Sequence, residues 1–251
     1  MKKAAALIIA LSLLLCGCGT EQPEAETDDT KLQIVCSCFP AYDFAREIAG
    51  DRAQITLLLK PGAEVHSYEP SPKDIIRIQE SDLFICNGGE SEEWVESLTD
   101  DNANVICMMD CVDTVEESDE GIYSADRDEH EHEHDETELD EHVWTSPLNA
   151  VKIVEQIADK LCAVDKSGSR DYLVNCEMYK TKLLELDIRF RTTVLQAERN
   201  TLVFADRFPM RYFTLEYGLN YYAAFPGCAS ETEPSAKTVA FLIDHVREEN
   251  T

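Results

Sequence analysis

The stretch LQIVCSCFPAYDFAREIAG, residues 32–50, decides the fold together with QITLLLK, residues 54–60, which follows it. LQIVCSCF is an apolar run of strand length. AYDFAREIAG has apolar side chains at helical spacing and ends at Gly50, and QITLLLK indicates a second strand. A strand, a helix and a strand in this order favour parallel pairing, with helices covering the sheet. The sequence therefore predicts an α/β protein.

The same alternation continues towards the C-terminus through two further helix starts. Ser71-Pro72 and Ser146-Pro147 each combine a capping residue with proline at the first helical position. Two apolar runs of strand length, LFICN (residues 83–87) and NVICMM (residues 104–109), lie between these helices. This pattern predicts a first α/β lobe over residues 32–165.

One long helical segment separates this lobe from a second one. From Ser169 to about Arg199, apolar residues recur at steps of three and four without an internal Gly or Pro, which predicts a helix of about 45 Å. We expect residues 166–199 to form a rigid backbone helix that joins two parallel-sheet α/β lobes. Residues 200–251 supply only two strands and two helices, too few to bury a parallel sheet, so we expect a C-terminally incomplete second lobe.

The N-terminus has the layout of an export signal. A cationic start precedes an apolar run that is too short to span a bilayer comfortably. The sequence LCGC, residues 15–18, resembles a bacterial lipobox and predicts a signal peptide over residues 1–17, with Cys18 lipidated and residues 18–31 as a polar tether. Cys16 is a weaker alternative, and an ordinary signal peptide is the other interpretation. We expect a protein anchored to the extracytoplasmic face of the cell membrane.

The charge and the cysteines exclude some classes of partner. The formal net charge is −28, and residues 113–141 concentrate 15 acidic residues with one arginine, so nucleic acid is not expected as a partner. Eight of the ten cysteines lie beyond Cys18, without a CxxC spacing. This spacing favours buried thiols over a zinc–thiolate site, and it leaves oxidation in pairs open for an exported protein.

The acidic segment DRDEHEHEHDETELDEHVW, residues 126–144, places His130, His132 and His134 one residue apart among carboxylates. The letters HEHEH satisfy the H-E-x-x-H pattern of zinc proteases, but no apolar face is present to pack a helix that would bring two histidines together. A solvated charge run does not explain a histidine at every second position. Imidazole suits zinc, copper or nickel, so we interpret the segment as a mobile metal-gathering loop.

Two other histidines lie at the edges of predicted elements. His142 comes directly before the helix that starts at Ser146, and His66 lies in the loop PGAEVHSYEPSP, residues 61–72. Prolines stiffen this loop, and ligands of open α/β sheets gather at the carboxyl ends of strands. His66 and His142 are therefore the candidate preorganised metal ligands.

These motifs resemble a known family. PGAEVHSYEPSPKDI (residues 61–75) and DEHVWTSPLNA (residues 140–150) are similar to the two histidine motifs of the zinc and manganese solute-binding lipoproteins of ABC transporters, the ZnuA-like family. YGL (residues 217–219) and ETEPSAKTVAFLI (residues 231–243) resemble its second lobe, and the likeness runs in order from Leu32 to the end. The acidic histidine loop before His142 is similar to the zinc-selective branch.

The resemblance implies a metal held in the cleft between two lobes by histidines and a carboxylate. His66 and His142 match two family histidines, whereas a third, in a pattern like HDAF, is replaced here by FADRFP, residues 204–209. Asp206 is a candidate ligand at this turn, or equally the N-cap of the helix that follows. Glu69 is better placed to accept a hydrogen bond from a ligand than to bind the metal. A further family ligand would lie beyond Thr251.

The resemblance also implies a binding protein and not an enzyme. We expect the chain to capture Zn(II) with high affinity outside the membrane and to deliver it, as a monomer, to an ABC permease and its ATPase. A manganese-binding homologue or a metal-dependent adhesin is the alternative. A zinc hydrolase on the same lobes is a weaker one, because no nucleophile elbow and no credible H-E-x-x-H motif accompanies the histidines.

Overall fold

The structure is a computed structural model that describes residues 31–60, 62–63, 65–98, 104–118, 121–122, 138–228 and 234–248. The predicted signal peptide, Cys18 and the histidines at positions 130, 132 and 134 lie outside these residues. In the described part the strands are β1 (Leu32–Cys36), β2 (Ala53–Leu57), β3 (Leu83–Cys86), β4 (Val105–Cys107), β5 (Thr201–Arg207) and β6 (Asn220–Phe225). The α-helices are α1 (Phe39–Ala49), α2 (Pro72–Glu80), α3 (Trp94–Leu98), α4 (Pro147–Val164), α5 (Ser169–Gln196), α6 (Arg211–Tyr217) and α7 (Ala236–Glu248).

Strands β1 to β4 form one parallel sheet in the order β2-β1-β3-β4. Because every pair is parallel, all four carboxyl ends meet at the same edge. The chain leaves β1 towards β2 on one side and then crosses to β3 on the other, which makes β1 and β3 a switch point. Loops diverge at such a point and leave a crevice where ligands of open α/β sheets bind. The α/β class is confirmed.

Successive residues of β1 serve two different cores. Ile34 and Cys36 pack with α1, α4 and α5 in the larger core, whereas Val35 packs on the opposite face with Phe84, α2 and α3. This alternation follows from the two-residue period of a strand. Helices therefore cover both faces of the sheet, as the apolar character of its strands predicts.

Two helix starts are fixed by the caps that the sequence predicts. Ser71 Oγ accepts a hydrogen bond from Asp74 N, and the Asp74 carboxylate accepts one from Ser71 N, so the two residues form a capping box for α2. Ser146 Oγ accepts from Asn149 N at the start of α4. These two caps direct the loops that precede them, which carry His66 and His142.

Helix α5 contacts elements on both sides of the molecule. It contains 28 residues, and Tyr172 near its start and Leu183 near its middle are buried in the core of the four-stranded sheet. Further along, the Asp187 carboxylate accepts a hydrogen bond of 3.1 Å from the Tyr217 hydroxyl of α6. This helix therefore packs into the core of the first sheet and also contacts helix α6. Neither α5 nor any other described helix combines the length and the apolarity needed to cross a membrane.

The second unit is a parallel pair, β5 and β6, connected by α6 and followed by α7. Its core is small: the rings of Phe208 and Tyr221 stack with centroids 3.5 Å apart, and Ala223 is fully buried beside them. The residues of β5 stay half-buried or exposed. The hydrophobic core of this two-stranded unit is thus much smaller than that of the first sheet.

A segment that was expected to belong to the first lobe pairs with the second sheet. Ile122 forms a parallel bridge with Ala223, and Ala223 N donates to Gly121 O at 3.0 Å. Gly121 has φ of +80°, and a Cβ there would clash with the Tyr221 carbonyl oxygen. A glycine is therefore needed where the chain crosses between the two units.

Candidate metal centre

The two histidine loops meet at the carboxyl edge of the four-stranded sheet. His66 lies in a short 3₁₀ turn, Val65–Ser67, after β2, and His142 directly precedes the 3₁₀ turn Val143–Thr145. Their ring centroids are 5.4 Å apart, with an interplanar angle of 62°. The structure thus brings together the two histidines that the sequence singled out.

His142 is oriented by Asp140. Asp140 Oδ1 accepts a hydrogen bond of 2.9 Å from the His142 backbone N and lies 3.2 Å from its ring Nδ1. A carboxylate only accepts, so Nδ1 carries the proton and Nε2 keeps its lone pair. Asp140 is itself fixed, because the Tyr212 hydroxyl donates to its carbonyl oxygen at 2.8 Å. A carboxylate behind a buried histidine is the usual support of a metal-binding imidazole.

His66 faces a carboxylate that belongs to the same loop as His142. Its Nδ1 lies 3.4 Å from Glu141 Oε2, and both side chains are largely buried. Ser91 binds both oxygens of this carboxylate: its backbone N donates to Glu141 Oε1 at 2.9 Å, and its hydroxyl donates to Oε2. Burial pushes the pKa of Glu141 upward, but the hydrogen bonds from His66 and Ser91 outweigh it and lower that pKa. A negative charge is therefore maintained beside the His66 ring.

The loop after β3 supports this carboxylate. The buried Glu92 accepts hydrogen bonds from Asn87 N at 2.7 Å and Gly88 N at 2.9 Å. Asn87 Nδ2 in turn donates to the Glu141 carbonyl oxygen at 2.9 Å. Three loops of the first lobe are thus linked by hydrogen bonds: the loop with His66, the loop after β3, and the loop with Glu141 and His142.

Cys228, which follows β6, is the donor from the second unit. The donor atoms of Cys228, His66 and Glu141 all lie within 4.8 Å of one another. The Cys228 backbone N donates to Glu117 Oε1 at 2.8 Å, which ties this loop to the segment that precedes the acidic histidines. Burial, together with the charges of Glu117 and Glu141, raises the pKa of the Cys228 thiol.

The preceding residue, Gly227, lets the Cys228 loop approach the histidines. A Cβ at Gly227 would lie 2.8 Å from the Phe208 carbonyl oxygen and 3.1 Å from His142 Cε1. Any larger residue would therefore displace either the second-unit backbone or the His142 ring. The contact also places the Cys228 loop directly against His142.

His66, Glu141 and Cys228 bring together an imidazole, a carboxylate and a thiol, and the His142 imidazole lies beside them. These are donors that zinc takes in proteins, in sets of four. Within the part of the chain that the structure describes, no other His, Cys, Asp and Glu side chains converge in this way. A thiolate and a carboxylate would together balance the charge of one divalent cation.

Asp206 does not join this group. It lies in β5 with its side chain exposed, and its Oδ1 accepts a hydrogen bond of 2.8 Å from Arg207 N. The interpretation of Asp206 as a helix N-cap is wrong, because α6 begins at Arg211 with Met210 in the cap position. Glu69 is also exposed, and the carboxylate found beside His66 is that of Glu141.

Two residues of the centre were not identified from the sequence. Glu141 is one of many acids in its segment, so composition gave no reason to select it. Cys228 comes directly after Pro226-Gly227, at the carboxyl end of a second-unit strand. The rule that ligands gather at such strand ends, which pointed to His66, would also have selected Cys228.

A buried group of metal donors between two parallel-sheet units defines a metal-binding protein with two α/β lobes. The chain belongs to the ZnuA family: residues 34–251 match the family described as zinc-uptake complex component A, periplasmic. The family resemblance that the histidine motifs indicate is thereby confirmed.

Two relatives support the same family assignment. The chain is 34% identical over 253 residues to the zinc-binding lipoprotein AdcA of Streptococcus pneumoniae, covering 98% of this chain and 48% of AdcA. It is 33% identical to the high-affinity zinc uptake system protein ZnuA of Bacillus subtilis, covering 97% of this chain and 77% of ZnuA. The chain therefore spans about half the length of AdcA and about three quarters of ZnuA.

Solved structures show the same fold. The Zn(II)-bound ZnuA-like domain of Streptococcus pneumoniae AdcA superimposes with a TM-score of 0.68 at 32% identity, covering 88% of this chain and 76% of that domain. The metal-dependent lipoprotein YcdH of Bacillus subtilis gives a TM-score of 0.71 at 30% identity, with the same shares covered. The predicted two-lobe α/β architecture is thus confirmed by similarity to solved structures.

Proposed function

We propose that this chain captures Zn(II) outside the cytoplasm and delivers it to an ABC permease and its ATPase. The observation that carries the proposal is the convergence of the half-buried His66 and Cys228 with the buried Glu141 beside the His142 ring. Its relatives AdcA and ZnuA are named for zinc binding and zinc uptake, and the AdcA domain was solved with Zn(II). The chain acts as the monomeric binding component of such a system.

The proposed ligands are His66, His142, Glu141 and Cys228. His142 binds through Nε2, since Asp140 occupies its Nδ1. The donor atoms of His66, Glu141 and Cys228 lie within 4.8 Å of one another, and zinc bonds of about 2.0–2.3 Å would draw these three together and bring the neighbouring His142 ring inward. Cys228 thus takes the second-lobe position for which the resemblance nominates Asp206.

This donor set favours zinc over manganese. Thiolate and imidazole are borderline or soft donors that suit zinc, whereas manganese prefers carboxylate, carbonyl and water oxygens. A set of four protein ligands also leaves no position for a reactive water, which a zinc hydrolase requires. Binding without catalysis is therefore the function that the geometry supports best.

The acidic histidine segment begins and ends beside the centre. Glu117 accepts a hydrogen bond from the Cys228 backbone, and its own backbone N–H donates to Glu138 O at 2.9 Å. Glu138 lies four residues before His142. We propose that His130, His132 and His134 gather zinc weakly next to the tight site. Deleting residues 124–137 should remove only weak zinc equivalents from a calorimetric titration; loss of the tight equivalent would show that the segment is itself the site.

Membrane attachment follows from the N-terminal motif. We propose that Cys18 carries the lipid and holds the chain at the extracytoplasmic face, as the name of the lipoprotein AdcA indicates for that relative. Cys18→Ala should move the protein out of the membrane fraction or leave the signal uncleaved. Unchanged fractionation and processing would exclude Cys18 as the anchor.

The function is tested by titrating the chain from residue 19 with zinc against a chromophoric chelator. We expect one tight equivalent, which the double variant His66→Ala/His142→Ala loses. The matched control is His245→Ala, because the His245 ring stacks on Tyr222 with centroids 3.8 Å apart and belongs to α7. An equal loss in the control, or tight binding retained in the double variant, would exclude the proposed site.

A further inference from the structure

A pair of cysteines outside the metal centre lies in contact at the end of two neighbouring strands. Cys86 in β3 and Cys107 in β4 are partners in the parallel register, and their sulfur atoms are 2.7 Å apart. Paired residues of adjacent parallel strands point to the same face, about 4.8 Å apart along the hydrogen-bonding direction. That spacing falls within the range of about 4.4–6.8 Å between Cα atoms that a disulfide accepts.

The two thiols have different access to small molecules. Cys86 is fully buried, whereas Cys107 is half-buried on the outermost strand of the sheet. The Cys107 side chain packs at the margin of the smaller core, on the same face of the sheet as Cys86 and Trp94. A hydrogen bond from the Cys86 thiol lowers the pKa of Cys107 and outweighs the opposing effect of burial. Cys107 is thus the member of the pair that can meet a reagent first.

We propose that Cys86 and Cys107 are a thiol–disulfide pair, oxidised by exchange with a low-molecular-weight disulfide that reaches the half-buried Cys107. The Cys107 thiolate attacks one sulfur of the reagent, and the other sulfur leaves as a thiolate. Cys86 gives its proton to that leaving thiolate and attacks Cys107 Sγ, which releases the second small molecule as a thiolate that takes from solvent the proton that Cys107 had lost. Two electrons pass from the protein to the reagent, one protein disulfide forms and two small thiols leave.

The other described cysteines are less suited to this exchange. Cys111 is also half-buried, but its thiol donates to the Cys107 carbonyl oxygen at 3.4 Å and burial raises its pKa to about 11. Cys176 is buried, and its thiol donates to the Val154 carbonyl oxygen at 3.6 Å. Cys86 and Cys107 are the pair whose sulfur atoms already touch.

The crosslink would close the chain between β3 and β4, a segment that includes Asn87 and Ser91. Both residues bond to Glu141, so the disulfide would fix the loop that supports this carboxylate. The reaction itself needs no metal, and its test does not depend on zinc binding. Closing a loop of this length stabilises mainly by restricting the unfolded chain.

The test treats the zinc-free chain with oxidised glutathione, blocks the remaining thiols at acid pH and maps the peptides by mass. We expect one Cys86–Cys107 crosslink and a melting temperature raised by roughly 5–10 °C. Cys86→Ser should instead retain glutathione on Cys107, because the second thiol is missing. Cys111→Ser is the matched control and should keep both the crosslink and the higher melting temperature.

Three results would overturn the proposal. They are a wild-type chain in which Cys107 keeps glutathione without forming the crosslink, a chain in which both thiols stay free, and a crosslink that joins either cysteine to a different partner. Peptide mapping of the wild-type chain decides the question even if Cys86→Ser does not fold.

Discussion

The two lobes contribute to the proposed metal centre in unequal ways. The first lobe supplies His66, Glu141 and His142 from the carboxyl edge of a four-stranded sheet covered on both faces, and neighbouring side chains fix each of them. The second supplies Cys228 after a two-stranded sheet, and the bond that holds its backbone comes from Glu117, outside that sheet. The difference is one of support and not of donor chemistry.

This comparison separates two properties of a metal site. Ligands whose rotamers are fixed before binding lose little entropy when the ion arrives, so they should contribute most of the affinity. A ligand on a loop with few supporting contacts loses conformational entropy when it binds the ion, but it can couple ion binding to the closing of the two lobes. We therefore expect first-lobe variants to change affinity most, and the Cys228 variant to change both affinity and proton release.

The largest effect is expected from the two histidines. His66→Ala and His142→Ala should each weaken zinc binding by about 1,000-fold, beyond the 10–100-fold that is typical when only a partner of a ligand is removed. The reason is that each change leaves the remaining buried donors arranged around an incomplete set. Competition titration against a chelator of known zinc affinity measures the loss.

Both histidine variants need a folding check, because His142 is buried next to Asp140. Their melting curves without metal should lie close to that of the wild type. If either variant binds zinc within tenfold of the wild type, the first lobe does not dominate and the comparison between the lobes is wrong.

The next effect concerns Cys228. Cys228→Ser should weaken zinc binding by about 100-fold, because a neutral hydroxyl replaces a thiolate at nearly the same size. The matched control is Cys162→Ser, whose thiol donates to the Ser169 carbonyl oxygen at 3.6 Å between α4 and α5. Equal zinc affinity in Cys228→Ser and the wild type would remove Cys228 from the ligand set.

Cys228 should also determine the protons released on binding. Its pKa is raised by burial, so the thiol is protonated at neutral pH without metal, and zinc must displace that proton to bind the thiolate. Zinc affinity should therefore rise with pH above 7, as the cost of displacing that proton falls. Calorimetry in buffers of different ionisation enthalpy should count about one proton fewer for Cys228→Ser than for the wild type.

A smaller effect is expected at Ser91, which contacts the centre only through Glu141. Ser91→Ala removes the hydroxyl that donates to Glu141 Oε2 but keeps the backbone donor, so zinc affinity should fall by about tenfold. Ser97→Ala is the matched control, because that exposed hydroxyl donates to the Trp94 carbonyl oxygen. A loss of the same size in both variants would point to a general effect on the loop after β3.

The contrast between the lobes also decides what the sequence could predict. The β1–α1–β2 unit, the two serine caps and α5 follow from periodicity and capping, which are local properties. His66 and His142 were found because each stands at the edge of such an element. The strand-end rule could have selected Cys228 itself, but its contacts join residues more than 80 positions apart and no local pattern encodes them. Asp206 was selected by resemblance alone, whereas β5 runs through to Arg207 and leaves its side chain exposed.

The smallest effect is therefore expected at Asp206. In this position the carboxylate is exposed and accepts a hydrogen bond from the next backbone N, so its removal changes neither the buried donors nor their supports. Asp206→Ala should leave zinc affinity within about twofold of the wild type, as expected for a surface substitution. Competition titration should be run beside Cys228→Ser, which provides the contrast within the same lobe. If Asp206→Ala loses 100-fold and Cys228→Ser does not, then the second lobe binds zinc through β5 and not through the loop after β6, and the lobes must approach each other differently when the ion is bound.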